Sequence, residues 1–495
     1  MAMSDRTSAN NMNNNSFTIP SATDFIVDSS TLAAQTSTST ALTILTALKN
    51  AGVKFIRYTA LDASNGTRAK AVPINRLLSN PEEFYDGGLS IAEVCFAGLP
   101  SFADHLVSES KLSSARVLTV RPDISSLRIL PYNPTSAVVL GTLHDQRTGR
   151  ASPLCTRNLL RRVLQTAETD YSLSFTVGAE IEFCLFKCIT NNEKLGYEPA
   201  DFSTYGNSHT LDAQSAFIDD LHTQLDLQSI TVEQIHAESA PGQIEVVLEK
   251  QDDVMRLADN VVLARATVAA VARKHGLKAI FLPKVYPMEA GNGLHIHMSF
   301  RDLSPQARLE DRYNAFRRTS VLGAMSHKGS SFLEGILDHL PALLSLTLPS
   351  SNSFRRVGPG CWTGHKVGWA VEDKESPLRV CMKAGSDEPS NVELKLSDSM
   401  ANIYLELAGI LSAGLDGIAR KLQLRPKVGP TDVDSGVPLP DSLGKSLECL
   451  KKDDVLMNVM GKELSTGFIA LKEAEIANDS EMSLEDEVAL ALKKA

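Results

Sequence analysis

A chain of 495 residues, 43% of them hydrophobic, is long enough for two domains and buries a substantial core without staples. A formal charge of -10 argues against a nucleic-acid or anionic-membrane partner, because no broad basic surface exists to neutralise phosphates. No apolar run approaches the roughly 20 residues of a membrane-spanning helix, and the N-terminus lacks the charged-then-apolar profile of a signal peptide. The seven cysteines show no C-x-x-C spacing, which suits neither a disulfide framework nor a zinc site. A cytoplasmic location is the expectation.

Residues 1–40 are rich in Asn, Ser and Thr and poor in charge, a composition that predicts a disordered tail. Residues 41–150 read as a small β-rich domain. Ala41 to Ala51 predicts a helix, Val53 to Tyr58 and Arg68 to Val72 predict strands around a turn at Asn65-Gly66, and further strands fall at Arg116 to Val120 and Ala137 to Gly141. Residues 151–495 read as a larger α+β domain. It opens on a helix from Thr156, includes a helix from Asp253 to Lys274 closed by Gly276, and carries an apolar helix over Asp398 to Arg420.

Four strands of this larger part share one grammar, with aliphatic residues on one face and ionisable ones on the other. In Ser174 to Phe186 the carboxylates Glu180 and Glu182 alternate with Val177, Ala179, Ile181 and Phe183. Gly242 to Glu249 places Glu245 among Ile244, Val246 and Leu248, with Glu238 a short loop upstream. Gly293 to Phe300 pairs His295 and His297 against Leu294, Ile296 and Met298, and Val392 to Leu396 sets Glu393 and Lys395 against Val392 and Leu394. A lone Glu-x-Glu or His-x-His reads first as a solvated face over a core. Repetition over four core-like strands points instead to a shared site, where clustered carboxylates require cations between them. Carboxylates outnumber imidazoles and no thiolate takes part, so the hard cations Mg²⁺ or Mn²⁺ are expected rather than zinc. A loop at Ser351 to Gly360 carries Arg355 and Arg356, and Lys374 and Arg379 follow. Arginine forks of this kind suit carboxylates and phosphates.

Taken in order from about Val53 to Ile418, these segments resemble the glutamine synthetase superfamily, type I-like. The resemblance includes γ-glutamylamine ligases and the glutamine-synthetase-like part of fungal FluG-type proteins. Gly178 to Phe183 looks like the family's first metal strand, Glu238 to Glu245 its second acidic motif and Gly291 to Ser299 its glycine-rich His-x-His segment. Asn352 to Arg356 with Pro359-Gly360 looks like the glutamate loop, and Glu393 with Ala401 to Leu405 the last metal strand and its helix. The resemblance implies that Glu182, Glu238 and Glu245 hold one cation, and Glu180, His295 and Glu393 a second. It implies that Gly291, Arg356 and Lys395 bind glutamate, with Trp362 at the acceptor gate, and that His297, Ser299, Lys374 and Arg379 contact ATP. Arg356, Arg379 and Lys395 would act in catalysis. The implied fold is a small N-terminal β-grasp domain plus a large catalytic domain whose antiparallel sheet is surrounded by helices. The chains would assemble as a homo-oligomeric ring, a decamer or dodecamer.

Departures from the pattern direct the substrate. Ammonia-using members carry a glutamate where Trp362 stands, and Tyr85-Asp86-Gly87-Gly88-Leu89-Ser90 offers no convincing counterpart of their second acidic anchor. The Arg-x-Glu-x-Arg motif has become Asn391 to Lys395, which keeps one positive charge and loses its bidentate fork. The expectation is an ATP-dependent ligase of nitrogen metabolism that joins glutamate to an amine other than ammonium. A catalytically silent regulatory or assembly protein and a true glutamine synthetase are the alternatives.

Overall fold

The computed structural model describes residues 38–85, 89–191, 194–307, 309, 311–316, 325–428 and 436–495. The predicted tail up to residue 37, and Asp86 to Gly88 in the segment searched for an acidic anchor, lie outside them.

The first helix, α1 (Thr38–Asn50), presents Ala41, Leu45 and Leu48 at helical spacing to Ile56, Tyr58 and Val139. β1 (Phe55–Leu61) and β2 (Thr67–Pro73) form an antiparallel hairpin. Its turn places Asn65 at a φ of 66°, a conformation asparagine tolerates, and Asp62 Oδ1 accepts from Gly66 N at 2.6 Å. With β3 (Leu89–Ala92), β4 (Val117–Pro122), β5 (Arg128–Ile129) and β6 (Ser136–Asp145) they complete a six-stranded sheet ordered β2-β1-β6-β4-β3, β5 pairing with β6. β1 and β6 run parallel.

α2 (Thr156–Tyr171) leads into β7 (Leu173–Asn191), the spine of a nine-stranded sheet. The remaining strands are β8 (Lys194–Pro199), β9 (Val232–Ala237), β10 (Gln243–Gln251), β11 (Leu277–Ile280), β12 (Leu294–Asp302), β13 (Trp369–Val371), β14 (Leu378–Met382) and β15 (Pro389–Leu394). Their order is β13-β14-β15-β12-β7-β10-β9, with β8 and β11 on β7. The pairs are antiparallel except at the edge, where β13 runs parallel to β14. The apolar face packs on helices, among them α3 (Val254–Lys274). Phe175 of β7 and Phe300 of β12 stack with Phe332 of the helix α4 (His327–Thr347), at ring-centroid distances of 5.6 and 5.0 Å. Against α4 lies α5 (Ile403–Arg420), approaching so closely that a Cβ on Gly417 would meet Ser331 O at 2.1 Å. Only glycine fits that crossing.

α5 starts later than the sequence predicts. Asp398 and Ala401 form a turn, and Asn402 caps the helix by accepting from Tyr404 N at 3.1 Å and Leu405 N at 3.2 Å. The same side chain donates to Asp62 O at 2.8 Å, tying the two sheets' segments together. Among the described residues no helix is long and apolar enough to cross a membrane.

Candidate active site

Alternation along β7 sends Phe175, Val177, Ala179, Ile181 and Phe183 into the core, each at most 3% exposed, and turns Glu180 and Glu182 the other way. Strand register then brings distant segments to them. Glu245 on β10 lies opposite Glu182, and His236 on β9 opposite Glu245. His295 on β12 lies opposite Glu180. Glu393 on β15 faces His297 on one side and Arg379 of β14 on the other. These strands floor one cleft of about 1040 Å³, lined by every site residue singled out in the sequence except Arg355, which turns to Glu487 instead.

At the floor, His295 Nδ1 lies 3.2 Å from Glu180 Oε2, 3.6 Å from Glu182 Oε1 and 3.6 Å from Glu393 Oε1. Among the described residues, three groups of His, Asp, Glu or Cys side chains offer atoms within 4.8 Å of one another: Glu180, His295 and Glu393; Glu182, Glu245 and His295; His236, Glu238 and Glu245. His295 is shared by the first two and Glu245 by the last two, so the donors form a continuous run rather than separate cages. Glu182 is aimed by its surroundings. Its Oε2 accepts from Gln243 Nε2 at 2.8 Å and Gly293 N at 2.9 Å, which leaves Oε1 on the His295 side.

The charge is unevenly balanced along this run. Burial opposes the charge of Glu180, but hydrogen bonds from His295 and His297 outweigh it and hold the carboxyl well below the usual range. Burial opposes Glu393 likewise, with His295, Lys395, His297 and Arg379 outweighing it. At the other end, burial and Glu182 push Glu238 up to about 7, and burial with Glu180, Glu182 and Glu238 pushes Glu245 up to about 8. The hydrogen bond from its Nε2 to Glu245 Oε1, 3.1 Å long, raises His236 to about 9. Such crowding is what a divalent cation relieves, and the oxygen-rich donor set fits Mg²⁺ or Mn²⁺.

Opposite charge gathers where β14 and β15 meet. Arg379 Nε lies 2.9 Å from Glu393 Oε2, Lys395 Nζ 3.3 Å from Glu393 Oε1, and the His297 ring is oriented by Asn391 Oδ1 at 2.8 Å from Nδ1. Arg356 ends a short turn, Ser353–Arg356, and is 3% exposed. Gly291 lies against it, so close that a Cβ would fall 2.4 Å from Pro283 O and 3.0 Å from Arg356 Cβ. Trp362 sits at the mouth, 54% exposed with a φ of 58°, and its N donates to Glu375 Oε1 at 3.2 Å. Lys374 is placed at the carboxylate end, its Nζ 5.4 Å from the centroid of the Tyr205 ring.

His236 and Tyr205 line the cleft and Gln243 braces Glu182 behind it, and none of the three was given a role from the sequence; Asn391, noted there only as a lost arginine, also lines the cleft. His236-Ala237-Glu238 carries the same two-residue alternation as the four marked strands, which is the signal that identifies His236. Tyr205 has no local pattern; it reaches the site from the loop after β8.

Comparison with known proteins agrees with this geometry. Residues 153–489 match the glutamine synthetase catalytic-domain family. Type-1 glutamine synthetase 1 of Dictyostelium discoideum is 29% identical over 456 residues, 89% of each chain. A gamma-glutamylpolyamine synthetase of Streptomyces coelicolor is 30% identical over 441 residues, 86% of this chain and 91% of its own. A solved GmaS/ADP complex shares the fold, with a TM-score of 0.75 at 24% identity over 91% of this chain and 99% of that one. The matched stretch spans well over half of the chain, which therefore belongs to the glutamine synthetase family, carbon–nitrogen ligases that use ATP and divalent metals.

Proposed function

We propose that the protein joins the γ-carboxylate of glutamate, activated by ATP as an acyl phosphate, to the nitrogen of an amine larger than ammonium. The observation that carries this reading is the single cleft that unites the acidic strands, the basic rim and an aromatic mouth. In this reading Glu182, Glu238 and Glu245, drawn from the two donor groups that share Glu245, would hold one divalent cation near the substrate, and Glu180, His295 and Glu393 would hold another near the phosphates. Bound there, such ions neutralise the charge on the transferring phosphoryl group. Arg379, Lys395 and His297 face the phosphates, Ser299 the nucleotide, and Arg356 beside Gly291 takes the carboxylate of glutamate. A carboxylate oxygen of glutamate bonds to the γ-phosphorus as ADP leaves. The amine nitrogen then bonds to the acyl carbon, the carbon–oxygen bond to phosphate breaks, and the nitrogen gives up a proton. Positioning and charge compensation supply most of the acceleration.

The acceptor end supports an amine with an organic body. Trp362 and Tyr205 are 54% and 57% exposed at the cleft mouth, where ammonium requires no apolar wall. They are linked: Trp362 bonds Glu375, Lys374 next to Glu375 lies over Tyr205, and Tyr205 meets the His236 ring edge-on at 5.7 Å. The Streptomyces coelicolor relative carries a polyamine in its name.

The test is ADP release with ATP, Mg²⁺ and glutamate against ammonium, hydroxylamine, butylamine, benzylamine and putrescine. The larger amines are expected to exceed ammonium, and Tyr205→Ala to lower their kcat/KM about tenfold while sparing hydroxylamine. Binding of nucleotide and glutamate without any acceptor-dependent ADP release would favour the silent protein, and ammonium as best acceptor a true glutamine synthetase.

A further inference from the structure

Behind Arg356, away from the cleft, lies a polar cluster sealed from solvent. Arg356 Nη1 donates to Ser397 O at 2.6 Å, and the same carbonyl accepts from Leu294 N at 3.0 Å, one residue before His295. One backbone oxygen therefore meets both the guanidinium and the start of β12, and β12 is held besides by its ladder to β7 from Leu294 onward. Ser397 Oγ in turn donates to Glu406 Oε1, in the first turn of α5. Glu406 is 0% exposed, no cationic side chain among the described residues offsets it, and its Oε2 has no hydrogen-bond partner. A carboxylate in that setting is far costlier than a carboxylic acid, so the group is held neutral; burial is also what raises its carboxyl well above the usual range.

Neighbouring Asp398, also 0% exposed, faces Arg356 and then Arg265. With Glu406 neutral, one carboxylate balances two guanidiniums, and positive charge is left over. Arg356 is where that surplus meets the cleft: it lines the cleft wall, and its buried Nε has no hydrogen-bond partner among the described residues.

We propose that Glu406 is a positioning residue for the substrate, fixing through Ser397 the carbonyl that aims Arg356 into the cleft and leaving the guanidinium's charge for an incoming carboxylate. This rests on the reading of Arg356 as the arginine that faces glutamate. Glu406 touches no substrate, so its effect should appear in glutamate binding and not in nucleotide binding.

The experiment is calorimetry of glutamate binding to the full chain with Mg²⁺ and a non-hydrolysable ATP analogue, with thermal unfolding of each variant alongside. Glu406→Gln, neutral and of the same shape, is expected to bind glutamate within about twofold of the wild type, whereas Glu406→Ala and Ser397→Ala weaken it about tenfold with nucleotide affinity unchanged. Wild-type glutamate affinity in both alanine variants overturns the inference, and so does equal weakening in Glu406→Gln and Glu406→Ala. Should Glu406→Ala not fold, Ser397→Ala decides alone. No glutamate binding by the wild type would instead overturn the substrate reading, and this inference with it.

Discussion

Glu245→Gln is expected to cut turnover by roughly a hundred- to a thousandfold while leaving the fold intact. Glu245 is 5% exposed, lies opposite Glu182 across the β7–β10 ladder, and belongs to two of the three donor groups. Burial first, and then Glu180, Glu182 and Glu238, oppose its charge in the metal-free protein, so a neutral side chain avoids that cost, set against a weaker bond from His236. Glutamine fills nearly the same volume, which protects the packing beneath. The melting temperature without metal should therefore hold or rise, and the increase that Mg²⁺ or Mn²⁺ confers on the wild type should shrink. Glu182→Gln is expected to behave alike, since Glu182 bridges toward His295 in the same run. Wild-type kcat in either variant would falsify the assignment of these strands to cation binding.

Asp259→Ala should destabilise the protein by about 3–5 kcal/mol, the cost of leaving a buried guanidinium without its main partner. Arg157 at the start of α2 and Asp259 are 4% and 5% exposed, and they form a two-pronged pair, Nε to Oδ1 at 3.0 Å and Nη2 to Oδ2 at 2.7 Å. Tyr404 OH donates to Asp259 Oδ1 at 2.6 Å, and Arg157 Nη1 reaches Asp123 Oδ2, beyond the end of β4, at 2.8 Å. Asp259 thus ties α2 to α5, and through Arg157 the tie extends to the smaller sheet. Asp259→Asn keeps the shape and some hydrogen bonds, so its loss should be smaller. Denaturant unfolding of the three proteins ranks them, and an unchanged midpoint for Asp259→Ala would show that the network contributes nothing net to stability.

The helix over 254–274 was legible from the sequence because both of its ends carry local signals. Asp253 accepts from Arg256 N at 3.1 Å as cap, and Gly276 takes a φ of 69° past the last turn. The beginning of α5 was less legible. Met400 and Ala401 extend the apolar composition of the helix back toward Asp398, and only the bond from Asp398 N to Thr347 O, with Asn402 capping the helix, shows that the helix starts later. Tyr205 gave no signal because its relation to His236 and Lys374 depends on loops and not on any periodicity.

What the sequence by itself determined is direction: in a strand, neighbouring side chains point to opposite faces, so aliphatic residues at every second position commit Glu180, Glu182, Glu245, His295 and Glu393 to the face away from the core. Proximity was decided by the tertiary structure. The sheet order β13-β14-β15-β12-β7-β10-β9 does not follow the chain, and the pairing registers set His295 against Glu180 over 115 residues of separation. Register is chosen by packing the apolar faces of many strands at once, a sum over contacts that no single segment contains. The chemistry of each donor is thus written locally, and the distances that turn donors into a cation-binding cleft come from the fold of the whole sheet.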